Sequence, residues 1–357
     1  MDIETRVSLM KQVGEEIITE QELRELLETK QHPIAYDGFE PSGRMHIAQG
    51  ILRAINVNKM LKAGVKFHML VADWFAYMNN KMAGDMEKIQ KVGKYYIEVW
   101  KASGMDVDGV EFVWADELMK DRRHWETTVK IAKASTLNKI LRCSQIMGRK
   151  SNETLSAAQI FYPCMQAADI FRIGCDITQL GMDQRKVNVL AREIGPKIGF
   201  WKPVVVSNHM LLGLSKPATK SADPDDLLLE MKMSKSRPDS AIFMDDSGDE
   251  IRRKVGKAYC PERRAELNPI LEYCRYMIFE KIKAMRIERP KKFGGDIEIG
   301  SYAELERLYK EGGLHPMDLK NAVAFYLNEF LAPARRHFSS GKPKSLLEEV
   351  RGFGVTR

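Results

Sequence analysis

A chain of 357 residues is too long for one compact core and suits two domains. With 44% hydrophobic and 29% charged residues it has a globular composition, and its net charge of +7 favours a polyanionic partner. Apolar runs such as 69–78 stop well short of the roughly 20 residues of a membrane span, no export signal precedes the first helix, and the 5 cysteines form no CxxC, so a cytoplasmic chain without membrane, disulfide framework or zinc site is expected.

In chain order, residues 7–29 carry apolar positions at helical spacing, and Thr19 with Glu22 makes a capping-box pattern. The stretch 34–39 reads as a short strand, and the sharp P-S-G that follows leads into a helix expected to begin near His46 and to run from 51 to 61, with Gly64 at its end. Residues 65–73 read as a buried strand, followed by helix to about Ser103, and 111–116 as another short strand. Two helices are expected over 122–147 and 156–172. Then come a strand, a turn at Gly181 and a helix within 175–193, and a further strand at 204–210. Strand alternating with helix predicts an α/β fold with a Rossmann-like, doubly wound parallel sheet, whose ligands sit at the carboxyl ends of the strands. The segment 215–230 is polar and proline-bearing, a surface loop by composition. From 246 the pattern is helical, amphipathic and basic, so 1–245 and 246–357 are expected to be separate domains, the second ending in a poorly patterned tail.

Three features carry chemistry. Tyr162, Gln166 and Asp169 are offset by four and seven residues, which at about 100° per residue puts them on one narrow helical face among apolar neighbours. Such a row is either an internal polar network or the wall of a pocket for a small amphipathic ligand. His46 behind Ser42 and Gly43 can donate to a phosphate at a helix start. Lys232–Ser236 reads K-M-S-K-S, a solvated charged loop or a pair of ammonium groups able to neutralise a departing pyrophosphate.

Taken together, Y-D-G-F-E-P-S-G, Y-P-C-M-Q-A-A-D-I, G-M-D-Q-R-K, L-A-R-E, K-M-S-K-S, K-A-Y-C-P, N-P-I, K-F-G-G-D and H-P-M-D-L-K-N-A-V occur in the order seen in class I tyrosyl-tRNA synthetases of the archaeal and eukaryotic type, which the chain resembles from about Tyr36 to Leu331. The resemblance implies activation of L-tyrosine by ATP with Mg²⁺, transfer to the 3′-terminal ribose of tRNA(Tyr), and a homodimer formed through an insertion at about 115–150. By this likeness Tyr36 and Asp169 hold the substrate phenol, and Glu40, Tyr162, Gln166 and Gln184 surround its amino end. His46, Gln49, Lys232 and Lys235 serve catalysis, with Ser42, Gly43, Met233 and Ser234 completing the ATP site. Arg142 and Arg185 match positions that read the acceptor stem, and Phe293, His315 and Asp318 match anticodon contacts in an α-helical anticodon-binding domain. Within the motif H-I-A-Q, Ala48 adds a methyl where adenine would pack, and Gln49 keeps an amide donor but can never be cationic. Phe75 stands where some relatives carry histidine. The alternatives are a tryptophan-activating enzyme on the same plan, a catalytically dead RNA-binding paralogue, and a basic α/β domain without synthetase activity.

Overall fold

The computed structural model describes residues 1–148, 154–216, 231–235 and 237–353. Most of the expected 215–230 loop, Ser236 of the lysine-rich loop and the last two residues of the 115–150 insertion therefore lie outside the described residues.

The chain opens with α1 (Ile3–Val13), β1 (Gly14–Ile18) and α2 (Glu20–Thr29). The helical periodicity over 7–29 is thus interrupted by a strand, because Gly14 and the β-branched Ile17 and Ile18 give more in antiparallel pairing with 205–208 than in a continued helix. The capping box of Thr19 and Glu22 is present. Then follow β2 (Ile34–Phe39), α3 (Ile51–Lys62), β3 (Lys66–Val71), α4 (Asp73–Met78), α5 (Met86–Ala102), β4 (Val110–Trp114), α6 (Ala115–Lys120), α7 (Arg122–Lys133), α8 (Leu137–Cys143), α9 (Ala157–Ile173), β5 (Ile177–Thr178), α10 (Arg185–Ile194) and β6 (Val204–Asn208). The helix expected over 122–147 breaks at Ser135, and Thr136 caps α8 by accepting from the Lys139 N–H.

These strands form one six-stranded sheet in the order β1-β6-β5-β2-β3-β4, parallel except at the β1 edge. The chain leaves β2 toward β3 in one direction and returns on the other side through β5, so a crevice opens between the carboxyl ends of β2 and β5. Strand alternation divides the core into two faces. Ala35, Phe67 and Met69 pack with α1, α3 and α5, while Tyr36 and Leu70 pack with α4, α7, α9 and α10.

The helix after P-S-G begins at Ile51, five residues beyond His46. Residues 46–50 instead form a turn, with the Gln49 and Gly50 N–H groups on the His46 carbonyl. Backbone pairing explains the shift. Ile47 N–H donates to Ile242 O and Met244 N–H to Met45 O, and these contacts hold 45–47 extended against 242–244.

Beyond 246 come α11 (Gly248–Lys257), α12 (Pro269–Tyr273), a small hairpin of β7 (Met285–Ile287) and β8 (Ile297–Ile299), α13 (Tyr302–Glu311), α14 (Pro316–His337) and α15 (Gly341–Gly352). The hairpin was not legible in the helical pattern. The segment read as a loose tail is the helix α15, lying on α5 with Leu347 and Val350 buried and Lys91 paired to Glu349 at 2.9 Å. Its apolar residues are few and only meaningful against α5, so local patterning undervalued it. The core of the α5 face continues without a break into these C-terminal helices.

Candidate active site

The crevice at the carboxyl ends of β2 and β5 is a cleft of about 720 Å³. Of the residues assigned to tyrosine and ATP, all but Gly43 line it, although they come from β2, α9, and loops 40–49, 182–184 and 231–235. Gly43 has φ of 108°, a backbone conformation that disfavours any side chain and lets the P-S-G turn close beside the cleft.

At one end lie Tyr36 and Asp169. Tyr36 is on β2, where alternation turns it toward α9, and both residues are fully buried. Asp169 Oδ1 is 2.8 Å from Nε2 of His124 on α7, whereas Asp169 Oδ2 and Tyr36 Oη have no close hydrogen-bond partner among the described residues. Burial raises the Asp169 pKa, and the His124 hydrogen bond works against that rise. Burial, then the nearby Asp169 carboxylate, push the Tyr36 phenol well up, so it is a neutral O–H. Two unsatisfied polar oxygens at the end of a buried slot fit a ligand that brings one hydroxyl. His124 was invisible in the sequence reading, since a lone histidine on an amphipathic helix carries no signal until α7 packs on α9.

One helical turn from Asp169, Gln166 donates to Gln184 Oε1 at 3.1 Å, and Gln184 donates to the Ile146 carbonyl at 3.0 Å. Two turns away Tyr162 donates to Glu40 at 2.6 Å, its ring held edge-on by Phe75 at 4.7 Å. Glu40 also accepts from Asn79 and stands 3.7 Å from Lys81. The row read from the sequence is therefore both things at once, a polar network satisfied except at Asp169 Oδ2 and a pocket wall.

At the other end the 46–49 turn meets the lysine-rich loop. Burial, then the charges of Lys235 and Lys232, drive the His46 pKa well below its usual value, so His46 is a neutral hydrogen-bonding group. Lys232 is 3.2 Å from Asp183, and Lys235 donates to Ser42 Oγ at 3.0 Å and to the Tyr96 hydroxyl, with the ammonium 4.9 Å above the Tyr96 ring. Tyr96 also receives the Ser42 N–H at 3.2 Å. This α5 residue, unremarked in the sequence, joins the P-S-G turn to the second lysine of the loop. In the cleft lining Arg53 is buried with Asp37 at 2.8 Å and Asn208, and it also reaches Gln179. Burial lifts the Asp37 pKa to about 6 despite that arginine.

The residues assigned to RNA lie outside the cleft lining. Arg142 is at the end of α8, and Arg185 opens α10 with its guanidinium on Glu16 at 2.7 Å. Phe293 is 60% exposed in a short 3₁₀ turn, and His315 caps α14, with Asp318 in its first turn. Arg289 donates to Gly295 O and Gly313 O at 2.9 Å each, which brings the Phe293 turn beside the start of α14.

Residues 28–332 match the family described as tRNA synthetases class I (W and Y). The chain belongs to this family. It is 48% identical to tyrosine--tRNA ligase 1, cytoplasmic, of Arabidopsis thaliana, over all of this chain and 90% of the relative. It is 42% identical to the tyrosine--tRNA ligase of Thermococcus kodakarensis, over the whole of both chains. The crystal structure of tyrosyl-tRNA synthetase complexed with L-tyrosine from Pyrococcus horikoshii superposes with a TM-score of 0.90 at 39% identity, covering 98% of this chain and 100% of that one. The expected sheet, helical C-terminal portion and synthetase class stand, and as a class I synthetase the chain takes ATP as substrate. Among the described residues no helix is long and apolar enough to cross a membrane.

Proposed function

We propose that the chain is a tyrosine--tRNA ligase, and that the buried pair Tyr36 Oη and Asp169 Oδ2 selects its substrate. That pair carries the reading within a family that includes tryptophan enzymes. A phenol can donate to Asp169 and accept from Tyr36, whereas an indole N–H can only donate and would leave the Tyr36 hydroxyl unpaired. Phenylalanine would leave both groups unpaired, a penalty for which tyrosine-selecting synthetases are the standard example. Glu40, Tyr162, Gln166 and Gln184 then face the ammonium end, and the slot orients the carboxylate toward the ATP end of the cleft.

The ionised carboxylate attacks the α-phosphorus in line, forming the acyl–phosphate bond as the bond to pyrophosphate breaks; no general base is needed. Ser42, Gly43, Gln49, Met233 and Ser234 shape the ATP site, while neutral His46 donates a hydrogen bond and Lys232 and Lys235 offset the charge growing on pyrophosphate. Mg²⁺ carried by the phosphates of ATP would add to the charge that offsets the leaving pyrophosphate. In the second step the terminal ribose hydroxyl of tRNA(Tyr) takes the tyrosyl group and AMP leaves.

Domain roles follow: residues 1–245 perform the chemistry and 246–357 bind the anticodon, with Phe293 stacking on a base and His315 and Asp318 reading polar edges. Arg142 and Arg185 approach the acceptor stem, Arg185 exchanging Glu16 for phosphate or base. A homodimer is supported by apolar pairs left exposed at i,i+4 within 115–150, Trp125 with Val129 on α7 and Leu137 with Leu141 on α8, and a cytoplasmic location by the cytoplasmic Arabidopsis thaliana relative.

Tyrosine-stimulated exchange of pyrophosphate into ATP tests the reading. Exchange driven by tryptophan, or none from folded protein, would sink it. Asp318→Ala should impair tRNA charging and spare exchange; equal losses would remove the anticodon assignment.

A further inference from the structure

The helices α7 and α9 are joined by two polar rungs, one part-exposed and one buried. Asp121, the N-cap of α7, accepts from Arg172 in the last turn of α9 at 2.7 Å. Three residues along each helix, in opposite directions, His124 meets Asp169 at 2.8 Å, with both side chains 1% exposed. His124 carries its second ring nitrogen, Nδ1, without a hydrogen-bond partner, so the contact to Asp169 is the polar bond its ring makes among the described residues.

The chemistry of that contact constrains the slot. Nε2 faces a carboxylate oxygen, so the ring carries a proton there and acts as the donor. Asp169 Oδ1 is thereby occupied, and Oδ2 is the oxygen left for a ligand. A free buried carboxylate would rotate about χ2 and would favour taking up a proton, and a protonated carboxyl offers a donor where an acceptor is needed. We propose that His124 is a specificity-determining positioning residue: its Nε2–H fixes the orientation and acceptor character of Asp169, so that Oδ2 and Tyr36 Oη together demand a phenol. His124 does not touch the substrate. The inference rests on the tyrosine reading above and deepens it.

Two amides of different reach test it. The Gln amide extends to the position of imidazole Nε2, whereas the Asn amide reaches only that of Nδ1. Tyrosine and phenylalanine are compared as drivers of ATP–pyrophosphate exchange in the full chain. His124→Asn should lower kcat/KM for tyrosine by about tenfold to a hundredfold, as expected for losing a buried hydrogen bond to a charged group. The tyrosine-to-phenylalanine preference should fall by a similar factor, with the KM for ATP unchanged. His124→Gln should stay within a few-fold of wild type in both. If His124→Asn does not fold, His124→Phe keeps the ring volume without the donor and takes its place. A variant that melts earlier yet keeps full preference for tyrosine would overturn the role of His124, as would equal losses toward tyrosine and ATP. Absence of tyrosine-driven exchange in the wild type would instead remove the tyrosine reading itself.

Discussion

Tyr36 Oη and Asp169 Oδ2 sit at one end of the cleft, and Lys235, Ser42 and Tyr96 at the other, so single substitutions should separate the two substrates. Asp169→Ala is expected to weaken tyrosine binding far more than ATP binding, measured as the two KM values in pyrophosphate exchange. Equal losses would contradict the assignment. Tyr96→Phe removes one of the two acceptors of Lys235 but keeps the ring that packs on Tyr95 and Trp100. It should raise the KM for ATP several-fold, the effect of one charge-assisted hydrogen bond, and leave the KM for tyrosine unchanged. The H-I-A-Q turn fits this division. His46 is held neutral by burial and by the two lysines, so at this end of the cleft the loop lysines, and not the histidine, carry positive charge.

At the level of elements, the reading of β2, α3 from residue 51, β3, α9 and β6 succeeded because each has its own period and its own end signals. α9 is the clearest case, since the Ser156–Gln159 capping box and Gly174 in the left-handed conformation bound it at both ends. Elements whose stability comes from a distant partner were not legible. β1 is a strand because β6 pairs with it, the 46–50 turn is held by 242–244, and α15 exists on the surface of α5. Docking of α15 can be tested directly. Leu347→Ala removes a side chain only 5% exposed and should cost about 2–4 kcal/mol, seen as a lower Tm and faster amide exchange in 341–352. If amide exchange in that helix is already fast in the wild type and unchanged by the substitution, the docking is wrong.

Across the whole molecule, charge ties the sheet to the C-terminal helices. Arg44, two residues before His46, reaches Asp245 and Asp246; Arg351 of α15 reaches Asp245 at 2.7 Å, and Lys254 of α11 reaches Asp246 at 2.6 Å. His209, just past β6, lies 3.2 Å from Glu15 of β1 and from Glu272 of α12, stacked on Tyr276 at 4.1 Å. Burial opposes its charge, but the hydrogen bond to Glu15 and the ion pair with Glu272 outweigh that and raise its pKa to about 9. Because the folded value is the higher one, the imidazolium stabilises the fold fully below the unfolded pKa of about 6.5, and that contribution fades as pH rises toward 9. A buried pair of this kind contributes at most about 3 kcal/mol. The Tm should therefore fall between pH 7 and about 9.5, and His209→Gln should start lower and lose most of that slope; an unchanged slope would refute the assignment.

The sequence by itself determined the alternation of strand and helix, the row Tyr162–Gln166–Asp169 and the ordered motifs that mark a class I synthetase, because period, capping and motif spacing are local properties of a chain. Only the tertiary structure decided which oxygen of Asp169 faces the cleft, that His124 holds the other, that Tyr96 anchors Lys235, and where the helix after His46 begins. Each of these depends on a contact between residues far apart in the chain, and burial gives such contacts their strength.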